Sequence, residues 1–214
     1  MHKERSKASI ETYNKAAKNY QDKVMEMDLY NDTYDKFCAL IDKKNPEILE
    51  VASGPGNVTK YLYSKRPDFK ILGIDLAPNM IDLARINNPQ SDFMVMDCRN
   101  IEKLYKKYDA IVCGFCMPYL SQQECSKLIT DFSKLLNSNG LLYFSTMEDD
   151  YLKSGFETTS FSGQDRVYIY YHQAAFLTDC LIRSGFKIID LQRKECPEPD
   201  GSFFTDMIFI AKKN

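Results

Sequence analysis

The chain has 214 residues with a globular balance of 44% hydrophobic and 27% charged residues, which excludes wholesale disorder and any fibrous or low-complexity architecture. Lys+Arg 28 against Asp+Glu 30 gives a net charge of −2, with no basic excess to neutralise a phosphate backbone, so nucleic acid is not expected as a partner. No apolar run approaches the ~20 residues of a membrane helix, and Met1 to Tyr13 has none of the apolar core of a secretory signal, so a cytoplasmic protein with no membrane partner is expected.

Apolar residues at three- and four-residue spacing (Val24, Met27, Tyr30, Tyr34, Phe37, Leu40, Ile41) predict two helices within Ser9 to Asp42, closed by Asn45-Pro46. The pattern then changes to short apolar runs. Glu47 to Ala52 predicts a buried strand, Ser53-Gly54-Pro55-Gly56 a turn, and Asn57 to Lys65 a helix. Lys70 to Asp75 predicts a second strand, and Ala77 to Ile86 a helix with Pro78 in its first turn. Asp92 to Met96 and Tyr108 to Gly114 predict two more strands. Ser121 to Leu136 predicts a helix closed by Asn139-Gly140, and Leu141 to Thr146 a fifth strand. Strand–helix alternation with nearly continuous apolar strands implies an α/β fold, a doubly wound and mostly parallel sheet covered on both faces.

After Met147 the rhythm breaks. Glu148 to Asp165 is polar and too long for a simple connection, so a lid or substrate loop is expected there. Arg166 to Tyr171 alternates like a strand, and Gln173 to Ser184 reads as a helix ending at Gly185. Phe186 to Gln192 and Phe203 to Ala211 read as the last two strands. The loop Lys194 to Ser202 between them is short and holds no helix, which makes them antiparallel. The expectation is a seven-stranded sheet with an antiparallel C-terminal strand. No repeat or linker divides the chain, so one domain is expected over 1–214: an N-terminal helical lid over 1–45, a binding core over 46–147, and a substrate loop with the C-terminal strands over 148–214. Seven cysteines, scattered through apolar segments, read as free thiols. Cys113-Gly-Phe-Cys116 is a lone C-x-x-C without a second pair, and no metal is expected.

In open α/β sheets ligands bind beyond the carboxyl ends of the strands. The first strand there offers Glu50 and then Ser53, Gly54 and Gly56; the second Asp75 and Leu76; the third Asp97, Cys98 and Arg99; the fourth Gly114, Phe115 and Cys116. Three carboxylates converge, with no lysine or arginine expected to dominate them. Gly54-x-Gly56-x-x ends at Thr59, so the third glycine of the dinucleotide fingerprint is missing. Asp75 suits the two hydroxyls of a ribose. Glu50, just before the glycines, would repel a pyrophosphate and suits a cationic or amino group. Asp97 suits the exocyclic amine of adenine, with the N–H of Cys98 facing a ring nitrogen. Together these residues describe an adenosine with a cationic tail.

Glu50-Val-Ala-Ser-Gly-Pro-Gly56, Gly73-Ile-Asp75-Leu-Ala-Pro-Asn-Met80, Met96-Asp97-Cys98 and Tyr108-Asp-Ala-Ile-Val-Cys113 resemble successive motifs of the class I S-adenosylmethionine-dependent methyltransferases. The resemblance runs from about Tyr13 to the C-terminus and implies the Rossmann-like methyltransferase fold. Ala52 departs from it, standing where the family usually has glycine. The resemblance implies S-adenosylmethionine as cofactor. It places Glu50 at the amino group, through water or backbone. Ser53, Gly54 and Gly56 would line the methionine moiety, and Asp75 would hold the ribose. Leu76 and Met80 would lie against the adenine, Asp97 and Cys98 at its edge, and Gly114 and Phe115 beside the amino acid part. Tyr13 and Tyr20 resemble the family's lid tyrosines.

The implied activity is methyl transfer to a small organic acceptor, with Phe115, Tyr119, Phe161 and Tyr171 as aromatic walls. Cys116-Met-Pro-Tyr119 echoes the Pro-Tyr of amino-methylating enzymes but lacks their Asn or Asp, which argues against adenine-N6 or glutamine acceptors. His172 has two readings, a solvated histidine at a helix start and a catalytic base for a hydroxyl or ammonium acceptor. Two other functions stay open: an NAD(P)-dependent oxidoreductase, and a non-catalytic S-adenosylmethionine-binding protein.

Overall fold

The computed structural model describes residues 2–158, 165–197 and 203–214. Phe161 and the centres of the two expected loops, 159–164 and 198–202, lie outside the described residues. In chain order the elements are α1 (His2–Lys15), α2 (Ala17–Val24), α3 (Asn31–Ala39), β1 (Glu47–Val51), α4 (Asn57–Lys65), β2 (Lys70–Asp75), α5 (Pro78–Asn87), β3 (Asp92–Val95), β4 (Tyr108–Cys113), α6 (Gln122–Leu135), β5 (Leu136–Glu148), β6 (Gly155–Thr158), β7 (Arg166–Ile169), α7 (Ala174–Arg183), β8 (Phe186–Pro197) and β9 (Phe203–Lys213).

Seven of these strands form one sheet in the order β3-β2-β1-β4-β5-β9-β8. β1 to β5 are parallel neighbours, while β9 runs antiparallel between β5 and β8. Alternate residues of each central strand enter separate cores. Ile48, Ala110, Val112, Tyr143 and Ile210 meet Tyr34 and Phe37 of α3 and Leu62 of α4. Leu49, Val51, Ile111, Phe144 and Phe209 meet Leu128, Ile129 and Phe132 of α6 and Leu181 of α7. Burial on both faces explains why these strands read as unbroken apolar runs. α6 starts at a capping box in which Ser121 and Glu124 satisfy each other's backbone N–H.

Four features depart from the expectation. The N-terminal segment makes three helices, because Ala16 leaves helical geometry at ψ 16° and the chain turns between Met25 and Tyr30. β5 begins at Leu136, which pairs with Tyr108 before a bulge shifts the register. The expected lid loop contains β6, which pairs antiparallel with β7 as a separate hairpin. β8 continues to Pro197, five residues beyond its expected end at Gln192. Helix α1 lies on the hairpin: the N–H of Tyr168 donates to Ser9 Oγ at 3.2 Å, and Thr12 Oγ1 donates to the carbonyl of Arg166 at 3.3 Å. Among the described residues no helix is long and apolar enough to cross a membrane.

Ala52, directly after β1, has φ 57°. That is the left-handed region, which costs an L-residue with a Cβ ~1–2 kcal/mol, against ~0.4–1 kcal/mol of unfolded-state entropy that a glycine would reintroduce. Ala52→Gly is therefore expected to raise the melting temperature slightly, by about 1–3 °C for a chain of this size. A thermal melt showing a lower value would mean that the Ala52 methyl contributes packing that outweighs its strain.

Candidate active site

The carboxyl ends of β1, β2, β3 and β4 open into a cleft of about 920 Å³, counted out to its mouth. Ala52 and Gly54 form one part of its wall, Asp75 and Leu76 the next, then Met96, Asp97, Cys98 and Arg99, and Gly114, Phe115 and Cys116. Met80 of α5 also faces it. Ser9, Ile10 and Tyr13 of α1, Tyr20 of α2 and Tyr119 cover it. Of the expected cofactor residues, Tyr13, Tyr20, Gly54, Asp75, Leu76, Met80, Asp97, Cys98, Gly114 and Phe115 are thus brought to one cavity. Glu50, Ser53 and Gly56 are not on its wall.

Asp75 ties two turns together. Its Oδ2 accepts from the N–H of Gly54 at 2.9 Å and its Oδ1 from the N–H of Ala77 at 2.8 Å. A carboxylate has about four lone-pair positions, so both oxygens keep capacity for ligand hydroxyls. Burial raises its pKa and the backbone donors only partly offset that. Glu50 lies deeper, 2% exposed, with the hydroxyl of Thr59 donating to Oε2. Burial pushes its carboxyl up to about 8, against the lowering effect of Thr59, and the charge of Asp75 adds to the rise. It is therefore protonated at neutral pH in the absence of a nearby cation. Asp97 corrects the expectation that no cation dominates the three carboxylates. Its Oδ2 accepts from Arg99 Nη2 at 2.7 Å, and its Oδ1 from the Arg99 N–H and Nε, both at 2.9 Å. Burial alone would raise Asp97, yet the Arg99 bonds outweigh it and hold the carboxyl below its ordinary value.

The glycines divide by role. A Cβ on Gly54 would meet only Tyr20 at 3.7 Å, and one on Gly114 only Tyr34 and Val58 at 3.9 Å, so at both a ligand can approach the backbone. A Cβ on Gly56 would stand 2.3 Å from Asn88 Nδ2 and 3.3 Å from the Ala84 backbone. Gly56 at φ 82° therefore packs α4 against α5 rather than lining the cleft. Ser53 is buried, and its Oγ has no hydrogen-bond partner among the described residues.

The cover is aromatic. The rings of Tyr13 and Tyr20 meet edge-on with centroids 5.4 Å apart, those of Tyr13 and Tyr119 at 5.2 Å, and the hydroxyls of Tyr13 and Tyr119 share a hydrogen bond. Phe115 adopts φ 50°, its N–H donates to Ser145 Oγ at 3.0 Å, and its ring lies 5.1 Å from that of Tyr30.

His172 is elsewhere. It is fully buried, with Nε2 3.1 Å from the carbonyls of both Met117 and Leu120. Burial lowers its pKa despite these carbonyls. Both earlier readings fail on this geometry: the histidine is not solvated, and it does not line the cleft as a base would. Tyr171 likewise is not on the cleft wall; its hydroxyl donates to Glu157 Oε1 at 2.5 Å. Sequence reasoning missed the buried group behind Phe115. There Tyr30 donates to Asp206 Oδ2 at 2.5 Å, and Cys196 Sγ is 3.2 Å from the same oxygen. These three residues are separated by up to 176 positions, and nothing local in the sequence marks them as neighbours.

Residues 48–140 match the family model described as a methyltransferase domain. A protein of Invertebrate iridescent virus 6 named as a methyltransferase is 34% identical over 99 residues, 46% of this chain and 36% of the relative. A malonyl-[acyl-carrier protein] O-methyltransferase of Acetivibrio thermocellus is 29% identical over 148 residues, 68% of this chain and 48% of the relative. The chain thus spans about half or less of the length of these curated relatives. Among solved structures, a S-adenosylmethionine-dependent methyltransferase from Clostridium acetobutylicum has the same fold, with a TM-score of 0.70 at 16% identity, covering 95% of this chain and 99% of that one.

Proposed function

We propose, from the premise that the core of this chain is a class I S-adenosylmethionine-dependent methyltransferase domain, that the protein transfers a methyl group from S-adenosylmethionine to a small-molecule acceptor. The observation that carries the reading is the pair of carboxylates at the ends of β1 and β2. Asp75 stands on the wall with spare acceptor capacity, and Glu50 lies buried behind it as an acid that a ligand's ammonium would ionise and a dinucleotide's pyrophosphate would not. The donor set suits the cofactor. Two open glycines admit close backbone approach, and the Ser53 Oγ, without a partner among the described residues, and the buried Glu50 would serve the methionine end, with Asp75 and Asp97 serving the nucleoside. When bound, S-adenosylmethionine supplies a methyl group activated on a sulfonium.

The chain's own residues would do the rest. Asp75 holds ribose hydroxyls, Leu76 and Met80 flank the adenine, and Asp97, fixed by Arg99, faces the adenine edge with Cys98. Tyr13, Tyr20 and Tyr119 exclude water and offer ring faces that tolerate a cation. Such positioning can supply ~7–11 kcal/mol of a barrier, so alignment and dehydration carry more of the reaction than acid–base chemistry. We read residues 1–45 as the lid, 46–147 as the cofactor-binding core and 148–214 as the acceptor side, all within one domain. Isothermal calorimetry decides the reading. S-adenosylhomocysteine is expected to bind and NAD not to bind. NAD binding without S-adenosylhomocysteine binding would overturn it.

A further inference from the structure

We infer that Cys98 and Cys116 form a dithiol site in the wall of the cleft, open to small disulfide oxidants, and that closing it into a disulfide and binding the cofactor oppose each other. The second half rests on the cofactor reading above.

Cys98 follows β3 and Cys116 follows β4, so the fold brings together two thiols 18 positions apart in sequence. Their sulfurs stand 3.6 Å apart, and both residues line the cleft. The remaining cysteines, Cys38, Cys113, Cys125, Cys180 and Cys196, are buried and absent from the cleft wall. Cys98 is the partly exposed member of the pair and the one an oxidant reaches first. A disulfide needs its sulfurs at ~2.05 Å, so the pair must close by about 1.5 Å. Both residues sit on short connections rather than inside strands: Cys98 opens a 3-10 turn, and Cys116 follows Phe115 with its positive φ. Closure there moves the wall against which the adenosine would lie.

The chemistry balances with a small disulfide as oxidant. The Cys98 thiolate attacks one sulfur of glutathione disulfide, and one glutathione thiolate leaves and takes up a proton. Cys116, deprotonated, then attacks the Cys98 sulfur of the mixed disulfide and expels the second glutathione. Two cysteine thiols lose two electrons, and one glutathione disulfide becomes two glutathione thiols. Hydrogen bonding with Cys116 and burial hold the Cys98 thiol above its ordinary pKa, and hydrogen bonding with Cys113 and burial do the same for Cys116 against the lowering effect of Cys98. The exchange is accordingly slow at neutral pH, and it is read at equilibrium.

Coupling between two binding equilibria is reciprocal. If S-adenosylhomocysteine shifts the dithiol–disulfide ratio toward the dithiol by a given factor, the disulfide form must bind S-adenosylhomocysteine more weakly by that factor. We expect at least tenfold in each. The 214-residue chain is equilibrated in glutathione redox buffers with and without S-adenosylhomocysteine, quenched by alkylation, and digested with trypsin. The expected disulfide joins the peptide Ile86–Arg99, which holds Cys98, to Tyr108–Lys127, which holds Cys113, Cys116 and Cys125. A Cys113–Cys116 bond would stay within the second peptide and overturn the assignment. Cys116→Ser should abolish the linked pair, while Cys113→Ser and Cys125→Ser should retain it; the opposite pattern also overturns it, as does the absence of any linked peptide. Calorimetry on the same preparations separates the two claims. If reduced protein binds S-adenosylhomocysteine but the redox ratio ignores it, the coupling is wrong and the cofactor reading stands. If the reduced protein does not bind it at all, the cofactor reading fails and takes the coupling with it.

Discussion

At pH 8 the Glu50→Gln variant is expected to melt well above the parent chain, while near pH 4 the two should melt together. Burial raises the Glu50 carboxyl from its ordinary 4.5 to about 8. A group whose pKa is raised on folding contributes its full stability below the unfolded value, and that contribution is lost as pH climbs through the folded value. The window here runs from about 4.5 to about 8. At ~1.4 kcal/mol per pKa unit the loss on full ionisation approaches roughly 5 kcal/mol, and each kcal/mol is ~2–4 °C in a chain of this size. Glutamine keeps an oxygen to accept the Thr59 hydroxyl and cannot ionise, so it removes the loss without removing the bond. Other buried acids titrate as well: Asp206 is common to both chains and cancels in the difference, while the repulsion between Asp75 and Glu50 is part of the effect measured. Melting curves that stay parallel from pH 5 to pH 8.5 would show that Glu50 ionises normally.

The same carboxyl gives the binding reaction a proton signature. A cofactor ammonium near Glu50 would favour the charged form, since an opposite charge within ~4–6 Å lowers a carboxyl pKa. Binding of S-adenosylhomocysteine at pH 7 should then release close to one proton. Calorimetric enthalpies in buffers of different ionisation enthalpy would show it, and Glu50→Gln should abolish the buffer dependence. This is also where sequence and structure part company. The position of Glu50 before the glycines was legible from spacing alone, and so was the alternation of β1 to β5 with helices, because apolar runs broken by helical periods dictate a parallel sheet. That Glu50 stands behind the wall was not legible: depth depends on Thr59 of α4 folding back onto it, a tertiary contact. Gly56 is similar. Its spacing resembled a ligand-facing glycine, but the side chain of Asn88, 32 positions away, occupies the space a Cβ would need. The Asp97–Arg99 pair was within reach of sequence, being two residues apart in a 3-10 turn. The Tyr13–Tyr119 contact spans 106 positions and follows only from α1 docking on the β6–β7 hairpin, which polar composition had disguised as a loop.

Asp75→Ala is expected to weaken S-adenosylhomocysteine binding by at least ~10-fold, about 1.4 kcal/mol, and also to lower the melting temperature of the free protein. The second effect follows from the structure. The carboxylate accepts from the N–H of Gly54 and the N–H of Ala77, so alanine leaves two backbone donors to water at the ends of two turns. Hydrogen bonds to a charged group are worth ~1.5–3 kcal/mol each, and solvent entering the cleft recovers part of that. Ala77 is the N-cap of α5, and its side chain makes no cap hydrogen bond there. The Asp75 contact to the Ala77 N–H is therefore the carboxylate's own link to this helix start. Stability and binding must be separated, and Asp75→Asn does so. Its one oxygen can still accept from one of the two N–H groups while the amide NH2 faces the other, so part of the fold's requirement survives. It offers ribose hydroxyls fewer acceptor positions and no charge, so binding should remain as weak as in the alanine variant when the melting temperature has recovered in part. Measuring both quantities on both variants gives opposite patterns for the two roles. If affinity tracks melting temperature through the series, with Asp75→Asn restoring both, Asp75 serves only to join the glycine turn to α5, and the ribose assignment falls.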